Sequence, residues 1–315
     1  MASEHALTGI LPPSVLAYPT QFHAYGKDSQ AAMREVTERV RVIDEHMSSY
    51  RKDSEISAVN RAAGHGAVDV SADTFFVIKR ALQYAEETSG CMDITIAPIL
   101  RLWNEAERHN EVPDNRLLGQ TLRLVNYKDV LLSTGRFQVR LNYEGQAIDL
   151  GSVVKGYAAD EVRKILHKHG VQSALIDLGG SVVALGSRPN GQLWDIPIRC
   201  PQDGATQIFG TLKASECSVV TAGAGRRPVI DTKSGHPVES GLRSVTVVAE
   251  SAVDAEAIAF SALLLGPEQS KNLVEDKGVE AIMVTEQGMV SVTDGLKSTF
   301  SLTKGHALPD HRQLP

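Results

Sequence analysis

Cysteine is scarce in this 315-residue chain. The three present, Cys91, Cys200 and Cys217, stand far apart and are odd in number. That spacing argues against a disulfide framework or a cysteine-built zinc site, and it fits a reducing compartment. Positive charge is not in excess: 32 Lys and Arg face 38 Asp and Glu, giving a net charge of −6. With no dense Lys/Arg stripe either, a nucleic-acid surface is not expected. No apolar run approaches the roughly 18 residues of a membrane-crossing helix. Residues 7–18 are apolar but broken by Pro12-Pro13, and no basic residues precede them, so they do not read as a signal peptide. No cysteine near the start could carry a lipid, and the expectation is a cytoplasmic protein. Internal repeats and low-complexity segments are also missing, as is the Gly-x-x-x-x-Gly-Lys-Ser/Thr spacing of a Walker loop.

What remains is ordinary globular material, 42% hydrophobic and 22% charged, long enough for one large domain or two smaller ones. Residues 29–48 place Met33, Val36, Val40, Ile43 and Met47 at helical spacing. A short helix is expected from Ser54. A longer one is expected after Ser71, a good N-cap, running through Phe75, Ile78, Leu82 and Ala85 to Gly90. Residues 104–120 are polar and read as a variable segment. Short strands are expected at 20–25, 129–133 and 137–142. Residues 174–178 and 182–185 flank Gly179-Gly180 as a hairpin, and 281–285 and 289–293 form another. Further strands fall at 194–199, 206–213, 217–221 and 244–249, and helices at 252–265 and 267–276, the latter with Pro267 in its first turn. Helices and antiparallel hairpins without a βαβα rhythm indicate an α+β fold.

The stretch Ala147-Ile148-Asp149-Leu150-Gly151-Ser152-Val153-Val154-Lys155-Gly156-Tyr157-Ala158-Ala159-Asp160 carries the most chemistry. It reads as a strand entering a helix that runs to Gly170, through a turn of small residues. Free backbone N–H groups at such a turn favour an anion, typically a phosphate. Asp149 and Lys155 stand on either side of it. The plain alternative is an ordinary turn whose Asp and Lys are solvated.

Six stretches in order resemble the ApbE family, the FAD:protein FMN transferases. They are residues 47–60, 90–103 and 147–160, Ala174-Leu175-Ile176-Asp177-Leu178-Gly179-Gly180 with Ala184-Leu185-Gly186, Ile230-Asp231-Thr232-Lys233-Ser234-Gly235-His236-Pro237-Val238, and residues 244–249 with Leu264-Leu265-Gly266-Pro267-Glu268. The resemblance covers residues 20–300. It implies an ApbE-like, T-fold-related α+β fold over 20–303; from the sequence itself, residues 1–19 read as an extended lead-in and 304–315 as a loose tail. It also implies that FAD is cleaved with a divalent cation, usually Mg²⁺, that FMN passes to a Thr or Ser of an acceptor flavoprotein, and that AMP leaves. By position, Met47, Tyr50, Cys91, Met92, Asp93, Asp149, Lys155 and Ile230 would line the flavin nucleotide. Ser152, through its carbonyl, and Glu256 would hold the metal.

The chain also departs from the family pattern. Where a His stands two residues before the Ile-Asp, this chain has Pro228, so no catalytic base is named. The family's metal helix reads Ala-Asp-Ala-x-x-Thr; here Glu256 replaces the Asp and Phe260 the Thr. Asp254, Arg226, Arg227 and His236 are candidate substitutes, and Asp93 could serve only to cap a turn. These departures keep open a homologue that binds or hydrolyses FAD without transferring flavin.

Overall fold

A computed structural model describes residues 6–11, 20–202, 205–223 and 229–303. In chain order the elements are β1 (Ala6–Leu11), β2 (Thr20–Tyr25), α1 (Ser29–Met47), α2 (Glu55–Arg61), β3 (Val68–Asp69), α3 (Ala72–Glu87), α4 (Ala97–Arg108), α5 (Asn115–Thr121), β4 (Val130–Ser133), β5 (Gln138–Leu141), α6 (Val154–Lys168), β6 (Ser173–Leu178), β7 (Ser181–Leu185), β8 (Trp194–Gln202), β9 (Ala205–Ala214), β10 (Cys217–Gly223), β11 (Leu242–Ala249), α7 (Ala252–Leu265), α8 (Pro267–Lys277), β12 (Glu280–Thr285), β13 (Val290–Val292) and β14 (Phe300–Leu302). This is the expected α+β class, with antiparallel pairing throughout the described ladders.

The chain divides into two compact units. One comprises residues 1–41, 155–228 and 239–315, the other 42–154 and 229–238. The expected tail at 304–315 and most of the lead-in at 1–19 lie outside the described residues, although β1 pairs with β2.

In the first unit the main sheet has the order β1-β2-β6-β7-β10-β11-β12-β13 among the described residues. Helix α7 packs on β10 and β11. It is apolar nearly all round and buried along almost its whole length, as such a helix must be. Ser251 caps it by accepting from the Asp254 N–H. A second sheet, β14-β9-β8, contributes Trp194, Ile196, Ile198, Phe209 and Leu212 to a core shared with Val182, Ala184, Val219 and Ile282 of the main sheet.

The second unit holds the three-stranded sheet β3-β5-β4 and helices α2 to α5. Ser54 and Ser71 cap α2 and α3 by accepting from the Ser57 and Thr74 N–H groups. Two expectations are corrected here. The polar segment 104–120 is largely helical. The amphipathic α4 already starts at Ala97, with Pro98 in its first turn, and α5 is capped by Asp114, which accepts from Leu117 N–H. Residues 147–150 do not form a strand. Their backbone bonds go elsewhere: Asn60 Oδ1 accepts from Ile148 N–H at 2.7 Å, Asn60 Nδ2 donates to Ile148 O at 3.0 Å, and Asp149 N–H donates to Ile94 O at 2.8 Å. With these groups satisfied by a side chain and a loop, no ladder is needed.

Candidate functional site

In the second unit the turn after Leu150 is closed by its own amides. Val153 and Val154 N–H both donate to Leu150 O, and Gly151 N–H donates to Asp149 Oδ1 at 2.8 Å. The other oxygen, Asp149 Oδ2, accepts from the Ser49 hydroxyl at 2.5 Å. Ser49 lies between buried Met47 and Tyr50, which is 74% exposed. Through Ser49, Asp149 and Ile94 the structure therefore brings three expected segments together: the 47–50 turn, the loop ending at Asp93, and the 149–152 turn. The sequence reading missed both Ser49 and Asn60. Each is a small polar residue beside a cap or within a helix, and nothing local marks its distant partner.

Asp93 is 6% exposed. Its Oδ1 accepts from Thr95 N–H and the Thr95 hydroxyl at 2.8 and 2.6 Å, and its Oδ2 accepts from Tyr127 N–H at 2.8 Å. Asp93 thus ties a turn to a second loop. Burial holds its carboxyl above the usual range, against the opposing pull of these donors. Cys91 and Met92 are buried beside it. Burial pushes the Cys91 thiol up to about 11, with Lys233 working against that and Asp231 adding to it.

The 230–238 turn is stitched to this loop. The Thr232 hydroxyl donates to Gly90 O at 2.7 Å, Asp231 caps the turn by accepting from Lys233 and Ser234 N–H, and Trp103 Nε1 donates to Gly235 O at 2.7 Å. Ile230 packs with Ile99 and Leu118. His236 is exposed and lies edge-on to the Trp103 ring, at 6.3 Å between centroids. A cavity of about 640 Å³ in this unit is lined by Gly90, Asp93, Tyr127, Lys128, Thr232 and Lys233. Lys128 and Lys233 give this polar cleft two cationic side chains, which suit an anionic ligand.

In the first unit, Lys155 and Glu256 meet. Lys155 Nζ lies 3.3 Å from Glu256 Oε1 and donates to Gly179 O at 3.5 Å, in the β6–β7 turn. Glu256 Oε2 accepts from Gly156 N–H at 2.5 Å. Glu256 therefore caps α6 from α7 and pairs with the lysine in that helix's first turn. The return contact is made by Asp160 of α6, which accepts from Ala252 N–H at 2.7 Å, Val253 N–H at 3.1 Å and the Ser251 hydroxyl at 3.2 Å. Burial raises the Asp160 carboxyl, and these donors oppose the rise. The two helix starts thus satisfy each other's free amides with acidic side chains.

This narrows the expectation of a turn offering free amides to a phosphate. Gly151, Val153, Val154 and Gly156 N–H are all bonded within the chain.

The divalent cation implied by the resemblance can be tested against these donors. Both Glu256 oxygens are committed, one to an amide and one to an ammonium. Phe260, one turn on, offers no oxygen. Among the described residues no group of three or more His, Cys, Asp or Glu could hold a metal ion. Mg²⁺ demands octahedral oxygen ligation and keeps several waters. The residues around Glu256, which is 4% exposed, do not fit it. Arg226, Arg227 and Pro228 lie outside the described residues.

Comparison with known proteins adds the context. A family model described as the ApbE family matches residues 15–283. A Treponema pallidum protein named FAD:protein FMN transferase is 30% identical over 84% of this chain and 80% of its own length. A Klebsiella pneumoniae protein of the same name is 29% identical over 94% of this chain and 95% of its own. The apo crystal structure of Pseudomonas stutzeri flavinyl transferase ApbE superposes with a TM-score of 0.81 over 96% of this chain and 99% of that one; at 22% identity it speaks for the fold alone.

Proposed function

The chain belongs to the ApbE family, and we propose that it is an FAD:protein FMN transferase. In the reaction a Thr or Ser hydroxyl oxygen of an acceptor flavoprotein attacks the FMN-side phosphorus of FAD. An O–P bond forms, the P–O–P bond breaks, AMP leaves with the bridging oxygen, and the hydroxyl proton passes to solvent or a base. Such a transfer is mostly positioning plus charge neutralisation.

The observation that carries this reading is the match, along most of both chains, to curated transferases. The geometry supports the following roles. Lys155, held by Glu256 and Gly179 O, presents the ammonium for the diphosphate. Cys91, Met92, Asp93 and Ile230 belong to one stitched region suited to lie along the nucleotide, and Met47 and Tyr50 flank the Ser49–Asp149 contact. The divalent cation implied by the family resemblance stays a component of the assay. Glu256, committed to Lys155 and to Gly156 N–H, is not available to hold it.

The test is incubation with FAD and Mg²⁺, with separation of FAD, FMN and AMP, followed by the same incubation with an acceptor carrying a family-type Thr and in-gel detection of covalent flavin. Covalent FMN with equimolar AMP is expected. Release of free FMN and AMP without covalent flavin would indicate a hydrolase. No AMP under any condition refutes the reading.

A further inference from the structure

We propose that Lys155, fixed by Glu256, takes over the charge-neutralising place of the divalent cation at this end of the site, and that Glu256 is its positioning carboxylate rather than a metal ligand. The proposal rests on the FAD reading above and refines how the diphosphate is met.

Three observations carry it. The first is commitment of the carboxylate. Oε1 faces the Lys155 ammonium at 3.3 Å and Oε2 accepts from Gly156 N–H at 2.5 Å, so a metal would have to displace a cation already bound. The side chains are 20% and 6% exposed for Lys155 and Glu256, which leaves little room for the water shell that Mg²⁺ retains.

The second is the helix face. Side chains three and four residues apart share a face. From Glu256 those neighbours are Val253, Ala259, Ala252 and Phe260, none with a side-chain oxygen. Asp254 lies two residues away, at a different helical angle.

The third is the tether. Lys155 sits in the first turn of α6 and reaches both α7 and the carbonyl of Gly179, whose φ of +70° places it in the left-handed turn between β6 and β7. An ammonium held between two elements is preorganised to meet an anion, and preorganised charge costs little reorganisation when the transition state forms.

The roles separate experimentally. FAD affinity is measured by flavin fluorescence in EDTA and in saturating Mg²⁺, and Mn²⁺ bound to the protein–FAD complex is counted by electron paramagnetic resonance. The wild type should bind FAD in EDTA, and Mg²⁺ should change that affinity by less than about threefold, since the metal adds no new protein ligand. Lys155→Met should weaken binding at least about tenfold, a change of roughly 1.4 kcal/mol, whether or not Mg²⁺ is present. No Mn²⁺ should be held at a site that Glu256→Gln removes. Glu256→Gln keeps an acceptor for Gly156 N–H, and circular dichroism checks that it folds; Glu256→Asp serves as a second variant if it does not.

One Mn²⁺ per chain, lost in either Glu256 variant, would overturn the proposal, as would Mg²⁺ strengthening FAD binding by more than about tenfold. FAD bound without release of AMP would defeat the transferase reading alone and leave this proposal standing on the metal count. A wild type that binds no FAD would overturn both.

Discussion

Replacing Gly156 by alanine sets two effects of opposite sign against each other. Gly156 is the third residue of α6. On helix propensity alone, Gly→Ala within a helix stabilises by about 1 kcal/mol. The added methyl, however, would sit 2.6 Å from Val253 Cα and closer still to Ala252 O. Both are backbone atoms in the first turn of α7, so no rotamer change can relieve the contact. The helix starts must move apart, and the contacts between them depend on that closeness: Gly156 N–H to Glu256, and Ala252 and Val253 N–H to Asp160.

Overpacking costs about 1–3 kcal/mol, and losing even one hydrogen bond to a charged group costs about 1.5–3 kcal/mol more. Sterics win, and the net effect of Gly156→Ala is a destabilisation of about 2–5 kcal/mol. For a chain of this size that lowers Tm by about 5–10 °C. The assay is thermal unfolding followed by circular dichroism, with hydrogen exchange at the amides of Ala252 and Val253. Gly119→Ala in α5 is the control: its added methyl meets nothing within 4 Å, and it should be neutral or stabilising by up to about 1 kcal/mol. A Gly156→Ala protein as stable as the wild type, with Ala252 and Val253 still protected, would refute the close-approach argument.

Two further outcomes follow from the second unit. Asn60→Leu strands both backbone groups of fully buried Ile148, at about 1–3 kcal/mol each. Urea unfolding should show a loss of at least about 2 kcal/mol, and a change under about 0.5 kcal/mol would contradict the role given to Asn60. Asp93 concerns pH. Burial raises its folded carboxyl above the ordinary 3.8, so the folded chain keeps a proton the unfolded chain has lost. That contribution is present at low pH, fades as pH rises from 3.8 through the folded value, and is level above it. The stability of wild type relative to Asp93→Asn should therefore fall with rising pH across that window; a difference that grows with pH contradicts the assignment.

Most helices and hairpins were legible because their signals are local. Ser71 before an apolar stripe, Gly179-Gly180 between two apolar runs, and Pro267 at a helix start each act within a few residues, and each element lies where its signal puts it. The failures share a cause. Residues 147–150 look like a strand because Ala147, Ile148 and Leu150 are apolar. What decides their conformation is Asn60, 88 residues earlier in sequence, which satisfies the very groups a ladder would use. Helix α4 is hard to read from sequence because Pro98 resembles a breaker, yet proline in a first turn costs a helix no bond. In the site the residues named from the sequence are mostly those with recognisable chemistry. The ones that hold them in place, Ser49, Asn60, Thr232 and Asp160, are ordinary side chains whose partners only the fold supplies.

Glu256 makes the same point from the other direction. Read along the chain, a glutamate in place of an aspartate is a conservative change, an oxygen donor moved outward by one methylene. On α7 that methylene matters, because the longer arm reaches the first turn of α6, where an amide and an ammonium are both waiting. A carboxylate with 4% exposure and no partner would be costly to bury. With Gly156 N–H on one oxygen and Lys155 on the other it is satisfied, and so is the start of α6. Loss of the side-chain oxygen at Phe260 then leaves nothing incomplete on that face of the helix. On the proposed reading the two departures agree: Glu256 is long enough to hold Lys155, and with that carboxylate committed a threonine at the position of Phe260 would have no shared ligand to complete.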